Sequence, residues 1–278
     1  MTILVTGATG NVGRLVVDEL VERGVAVRAL TVDPERAALP EGIEVVVGSL
    51  ARPSTLPVAL KGVEAVYLAP MARTVTRFCE LAAEAGIRRV VALSGSSVGQ
   101  EHEGSSGHGF EAVEKAVAAA GFDWTFLRPG MFMNNTLGWA GSVREAGVVR
   151  TAFGDATQTP IDLRDIAAVA AQVLVTPGHS GATYVLSGPQ SVTQREMAAA
   201  IGAALGREVP FVELTRAEQH AEWVAQGFPD RVADWLLDGF AGSLEHREAP
   251  TGVVEQLLGR PGITYAEWAV ANAAAFGG

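Results

Sequence analysis

The sequence predicts an α/β protein: a doubly wound parallel sheet followed by a smaller, mainly helical C-terminal lobe. Three observations predict it. Short runs that are apolar throughout alternate with stretches of helical periodicity across the first half, the pattern of strands covered on both faces by crossover helices. A glycine-rich stretch, Thr6-Gly7-Ala8-Thr9-Gly10-Asn11-Val12-Gly13, joins the first apolar run to the first helical one. Three Thr-x-x-Glu helix starts then fall in the last third of the chain.

Taken in order, residues 3–5 form the first strand. Val12, Leu15, Val16 and Leu20 recur at helical spacing until Gly24 ends the helix. Residues 25–30 make the second strand, and Asp33-Pro34 turns the chain. Residues 43–47 and 65–68 are the third and fourth strands. A helix over 74–84 stops at Gly86, a fifth strand covers 89–93, a helix lies around 111–119, and a sixth strand spans 124–127. Residues 166–175 read as an apolar helix and 183–186 as a returning strand. Thr193 with Glu196, Thr215 with Glu218, and Thr264 with Glu267 carry the capping-box pattern, in which hydroxyl and carboxylate satisfy free N–H groups at a helix start. The expected layout is a nucleotide-binding core over residues 1–150, rejoined by segments around 155–190, with the lobe over 190–278.

Composition narrows the function classes. The chain has 278 residues, 48% hydrophobic and 19% charged, with a net charge of −10. That balance speaks against a nucleic-acid partner, which needs clustered Lys and Arg. No run approaches the roughly 20 apolar residues that span a bilayer, and no secretory leader is visible. Cys79 is the single cysteine, so no internal disulfide forms and a cytoplasmic setting is expected. The triplet Glu101-His102-Glu103 reads as a solvated loop, and no metal cluster is expected.

Gly7, Gly10 and Gly13 sit between a strand and a helix. There a tight turn, close approach of backbone to a pyrophosphate, and close helix–strand packing each require a missing side chain. A nicotinamide dinucleotide on a Rossmann-type unit is the expectation.

Further motifs follow in order: Val90-Val91-Ala92-Leu93-Ser94-Gly95-Ser96-Ser97, Trp124-Thr125-Phe126-Leu127-Arg128-Pro129-Gly130 with Phe132-Met133-Asn134-Asn135, Pro160-Ile161-Asp162-Leu163-Arg164-Asp165-Ile166-Ala167, and the segment ending Ser187-Gly188-Pro189. Together with the glycine turn, this set resembles the NmrA-like group of atypical and extended short-chain dehydrogenases/reductases over nearly the whole chain. The resemblance implies that Gly7, Thr9, Gly10, Asn11, Val12 and Gly13 hold the pyrophosphate. Thr31 and Val32 would lie near the adenosine ribose, and Ser49 and Leu50 near the adenine. Ala69, Pro70 and Ser94 would continue the cleft, with Pro129 and Gly130 at the nicotinamide. Ser49 stands where relatives carry Asp, and Val32 where NADP-binding relatives often carry Arg. Arg14 and Arg36 remain as phosphate partners, so NADP(H) is expected narrowly ahead of NAD(H).

Relatives with full reductase activity use Tyr-x-x-x-Lys plus a Ser or Thr. By this resemblance Ser96 is the serine and Lys115 the lysine, while Glu111 stands at the tyrosine position. His108, Glu111 and Lys115 share one helix face if the helix reaches back to His108. That face is either a solvated Glu111–Lys115 ion pair or a site in which His108 donates the proton. The expected activity is NAD(P)H-dependent hydride transfer to a small apolar carbonyl, quinone or activated double bond. The pocket would lie between Ser96, the 132–135 loop, Trp223 and Trp235. The alternative is a non-catalytic NAD(P)-binding redox sensor or regulator.

Overall fold

The computed structural model describes residues 1–100, 102 and 104–278. Its centre is a parallel sheet of seven strands: β1 (Thr2–Val5), β2 (Ala26–Thr31), β3 (Glu44–Val47), β4 (Ala65–Leu68), β5 (Arg89–Leu93), β6 (Asp123–Pro129) and β9 (Ala182–Leu186), in the order β3-β2-β1-β4-β5-β6-β9. The strand order reverses after β1, and such a switch point opens a crevice beyond the carboxyl ends of the strands.

Alternation along each strand fills two cores. Ile3, Val5, Ala65, Tyr67, Val91, Leu93 and Leu127 point to one face. There they meet α1 (Asn11–Glu22) and α6 (Leu163–Val175). Leu4, Val66, Leu68, Val90, Ala92 and Phe126 point to the other, against α2 (Leu56–Leu60), α3 (Val75–Glu84) and α4 (Gly107–Ala119). Truncating a fully buried leucine such as Leu4 to alanine would cost about 2–5 kcal/mol.

The remaining elements build the lobe, except α10, which packs on α6 within the first core. They are α5 (Ala140–Ala146), β7 (Val149–Ala152), β8 (Thr157–Gln158), β10 (Val192–Thr193), α7 (Gln194–Ala204), β11 (Phe211–Leu214), α8 (Arg216–Ala225), α9 (Asp230–Glu245), α10 (Val253–Leu258) and α11 (Tyr265–Ala271). β7 pairs in parallel with β11, and β8 antiparallel with β10. A third core joins Met133, Ala140, Val143 and Val149 to Met197, Ile201, Trp268 and Phe276. All three expected capping boxes are present, at Thr193, Thr215 and Thr264.

Buried polar groups start α6 and tie it to the C-terminal segment. Asp162 caps α6 by accepting the Arg164 N–H at 2.7 Å. Asp165, with no exposed surface, accepts from Arg260 Nη1 at 2.8 Å and from the Ile263 N–H at 2.7 Å. Most boundaries shift by one to three residues from the sequence expectation, and two of the differences bear on the site. α4 begins at Gly107, four residues before 111, and so includes His108. β6 runs on to Pro129, because pairing with β9 reaches from Thr125↔Ala182 to Pro129↔Leu186. No helix among the described residues is long and apolar enough to cross a membrane.

Candidate cofactor and substrate site

The glycine turn lies at the carboxyl end of β1. Fully buried Thr6 fastens it: its Oγ1 donates to the Tyr67 carbonyl at 3.0 Å and accepts the Ala69 N–H at 2.8 Å. Gly7 has φ +60, a left-handed conformation, and a Cβ there would stand 2.9 Å from Ala69 Cβ. A Cβ on Gly13 would fall 2.2 Å from the Gly7 carbonyl oxygen, so α1 approaches the turn as only glycine allows. Gly10 is the N-cap of α1 and supplies no side-chain cap, and the first turn carries no acid. Among the described residues the N–H groups of Asn11, Val12 and Gly13 have no acceptor. Thr9, Gly10 and Asn11 are exposed, whereas Val12 is buried against the sheet. Free donors at a helix N-terminus beside an open glycine surface fit a pyrophosphate.

At the carboxyl end of β2, buried Thr31 accepts the Asp33 N–H on its Oγ1 at 3.2 Å. The Asp33 carboxylate accepts the Arg36 N–H at 3.2 Å, while Val32 is 61% exposed. Arg14 is committed to Asp18 and to the Ala38 carbonyl. The Arg36 guanidinium has no partner among the described residues. Ser49 is held locally: its N–H donates to Thr55 Oγ1 at 3.0 Å and its Oγ accepts the Ala51 N–H at 3.2 Å. Leu50 is buried, and its carbonyl accepts from Thr74 Oγ1 at 2.7 Å. Pro70 is exposed beside half-buried Ala69.

Pairing continues past the strand ends on the other side of the crevice. Ser94 N–H donates to the Leu127 carbonyl at 2.7 Å, Ser96 N–H to that of Pro129 at 3.0 Å, and Gly130 N–H to that of Leu186 at 3.0 Å. Ser96 is exposed, and a Cβ on Gly130 would sit 4.0 Å from its Oγ. Pro129 is buried beneath this rim.

The helix α4 turns a different face to the strand ends than the family pattern implied. Phe110 packs on Gly95, where a Cβ would lie 2.5 Å from the ring. One turn on, buried Glu114 accepts from Ser94 Oγ at 2.5 Å and from Arg128 Nε and Nη2 at 2.8 and 2.6 Å. Glu111 and Lys115, one residue further along, are rotated about 100° outward. They pair with each other at 2.7 Å, and the Lys115 side chain is 73% exposed. Lys115 lines a surface groove with Thr76, Cys79 and Glu80 of α3. Gly95, the neighbour of Ser96, is therefore brought together with Phe110, whereas Lys115 is turned away and the Ser94 hydroxyl is spent on Glu114. The Lys115 hydrogen bond and charge, with a smaller contribution from His108, hold the Glu111 carboxyl below the usual range. His108 is exposed on the first turn. Burial pushes the Cys79 thiol up to about 11, which leaves it unreactive.

Phe110 and Glu114 carry no role in the sequence pattern, and Arg128 stands in it only as part of a motif. The available signal was a carboxylate between Val113 and Val117 on an apolar helix face, paired with one charge at the end of an apolar strand.

The segment after Ser96 meets α9. Trp235 Nε1 donates to Gln100 Oε1 at 3.3 Å, and His102 Nε2 lies 2.9 Å from Asp238 Oδ2. Glu101 and Glu103 lie outside the described residues, among which no cluster could hold a metal ion. Trp223 packs within the lobe against Phe228 and Phe240. Asn134 accepts from Trp268 Nε1 at 3.3 Å.

The fold and the glycine cradle define a dinucleotide-binding protein. The NAD(P)H-binding family profile matches residues 7–177, and the chain belongs to this family, in its atypical short-chain dehydrogenase/reductase, NmrA-like branch. It is 40% identical to a (4-alkanoyl-5-oxo-2,5-dihydrofuran-3-yl)methyl phosphate reductase of Streptomyces griseus, covering 99% of both chains. It is 35% identical to an NAD(P)H azoreductase of Xenophilus azovorans, again over 99% of each. A crystal structure of an NADPH-dependent quinone oxidoreductase of Escherichia coli complexed with NADPH superposes with a TM-score of 0.83. That match has 28% identity and covers 98% of this chain and 99% of the other.

Proposed function

We propose that this protein is an NAD(P)H-dependent reductase that transfers hydride to a small apolar acceptor: a quinone, an activated double bond or a carbonyl. The observation that carries the reading is the pairing of Ser96 with Pro129, which sets an exposed hydroxyl on the rim where the nicotinamide would lie. The relatives named above, reductases of a butenolide phosphate, azo compounds and quinones, support the same class.

The bound dinucleotide supplies the hydride. Gly7, Gly10, Gly13 and the α1 N–H groups hold its pyrophosphate. Ser96 donates a hydrogen bond to the acceptor oxygen and polarises it. The second hydrogen arrives as a proton from solvent or from exposed His108, so a quinone leaves as a hydroquinone. A general acid typically contributes about 10²–10⁴-fold, and a stable hydroquinone or enol product lessens the need for one.

NADPH is the preferred donor in this reading. Asp33 is occupied in capping its own turn, while the Arg36 guanidinium is available to a 2′-phosphate. The Lys115 role implied by family resemblance requires its ammonium to leave Glu111 and swing toward the strand ends.

The test is oxidation of NADPH and NADH against a panel of quinones, azo dyes, enones and aldehydes, followed by absorbance at the nicotinamide band. Turnover with at least one class is expected. If every acceptor leaves NADPH unoxidised, the protein is instead an NAD(P)-binding regulator.

A further inference from the structure

We infer that Glu114 and Arg128 are positioning residues, a buried clamp that sets the Ser96 and Gly130 rim against the nicotinamide. The inference rests on the reductase reading and names how that site is held in register.

The apolar packing of α4 contains an anomaly. α4 buries Val113 and Val117 in the core beneath the sheet, and Glu114 is buried with them. A carboxylate placed there loses its water and must be repaid by donors. It receives three, from Ser94 Oγ and from two nitrogens of Arg128. Ser94 is the first residue beyond β5, and Arg128 is the penultimate residue of β6. One side chain therefore grips two neighbouring strands at their carboxyl ends.

Those two ends carry the rim. Ser94 is two residues before Ser96, and Arg128 two residues before Gly130. The rim's own hydrogen bonds, Ser96 N–H to Pro129 and Gly130 N–H to Leu186, are single bonds at the edge of solvent. The bidentate Arg128–Glu114 contact fixes both distance and angle between helix and strand, as planar guanidinium–carboxylate pairs do. The third donor, Ser94, keeps the carboxylate from rotating. Neither Glu114 nor Arg128 reaches the reacting atoms in this account; both act through the backbone of Ser96 and Gly130.

The test uses Glu114→Gln, Arg128→Lys and, as a packing control on the same helix face, Val113→Ala. Amide hydrogen exchange in cofactor-free protein reads the rim directly. Glu114→Gln is expected to lower protection at Ser96 and Gly130 about tenfold, with Val113→Ala leaving both unchanged despite a lower Tm. Arg128→Lys keeps the charge but not the fork, and should reproduce the loss; it also serves if Glu114→Gln fails to fold. Turnover should fall about 10–100-fold with the Kd for NADPH nearly unchanged, because small misplacement of reacting groups costs rate more than binding. Equal rim exposure in Val113→Ala, or protected amides in both clamp variants, overturns the proposal. If the wild-type protein reduces nothing, the reductase reading fails, and amide exchange still decides whether the clamp exists.

Discussion

Ser96 donates its backbone N–H to the carbonyl of Pro129 at 3.0 Å, extending the β5–β6 ladder past the end of β5. The serine hydroxyl is thereby delivered by sheet geometry, on a rigid edge, rather than by a free loop.

In the reductase proposed above, Ser96 is the polar side chain on which turnover should depend most. Ser96→Ala should lower turnover about 10–100-fold, in the range of losing one preorganised donor. Glu111→Gln and Lys115→Ala should change it by no more than about threefold, since an exposed i,i+4 pair is worth only tenths of a kcal/mol. Steady-state kinetics with one good acceptor measures all three. A Lys115→Ala loss matching that of Ser96→Ala would show that the ammonium swings into the site. His108→Gln should alter the pH profile if the imidazole delivers the proton; a superimposable profile assigns that step to water.

The glycine turn separates fold from binding. In Gly13→Ala the new methyl meets the Gly7 carbonyl at 2.2 Å, so the helix must shift. A loss of about 1–3 kcal/mol is expected, typical of overpacking. Gly10→Ala meets only the same oxygen at 3.2 Å and should fold with a much smaller loss. It should nonetheless bind NADPH weakly if the pyrophosphate sits on this turn as proposed, because its methyl would stand in the way. Melting curves and fluorescence titrations distinguish the two; a Gly13→Ala protein melting like wild type would contradict the close-approach argument.

Cofactor choice should rest on Arg36. Its removal by Arg36→Ala is expected to weaken NADPH about tenfold or more, the scale of one charge-assisted bond, and to leave NADH untouched. Arg14→Ala should act mainly on stability, because that side chain already holds Asp18 and the Ala38 carbonyl. Parallel titrations of both variants with both cofactors give the answer. Equal weakening of NADPH and NADH by Arg36→Ala would remove it from the 2′-phosphate site.

At the opposite edge of the sheet, His179 bridges Tyr184 and Thr176 through its two ring nitrogens at 2.8 and 3.0 Å. Burial first, and the Arg89 charge second, hold its pKa below the ordinary value. The unfolded chain therefore binds the proton more readily than the folded one. Stability contributed here is complete above the unfolded histidine value, near 6.5. It is lost as pH falls through the depressed folded value. Tm measured from pH 8 to pH 5 should decline less steeply in His179→Gln than in wild type. Parallel declines would mean that other groups carry the acid sensitivity.

The parallel strands, the glycine turn, the apolar α6 and the three capping boxes were legible in the linear order of residues. Each depends on contacts within a few positions, on an unbroken apolar run, or on a period of 3.6 that the chain displays directly. The short pairs β7–β11 and β8–β10 were not, because each strand finds its partner dozens of residues away and is too short to show a period. The joining of residues 133–152 to the lobe core is likewise a matter of which surfaces meet.

The clearest division lies on α4. That a charged helix follows the serine loop was evident from sequence. Which of its residues face the strand ends depends on its rotation, and one position along a helix is about 100°. The sequence pattern singles out Glu111 and Lys115, yet Phe110 and Glu114 have the same four-residue spacing. Tertiary packing chose between them: Val113 and Val117 had to enter the core, and this turned Phe110 onto Gly95 and Glu114 onto Ser94 and Arg128. It left Lys115 facing out beside Glu111.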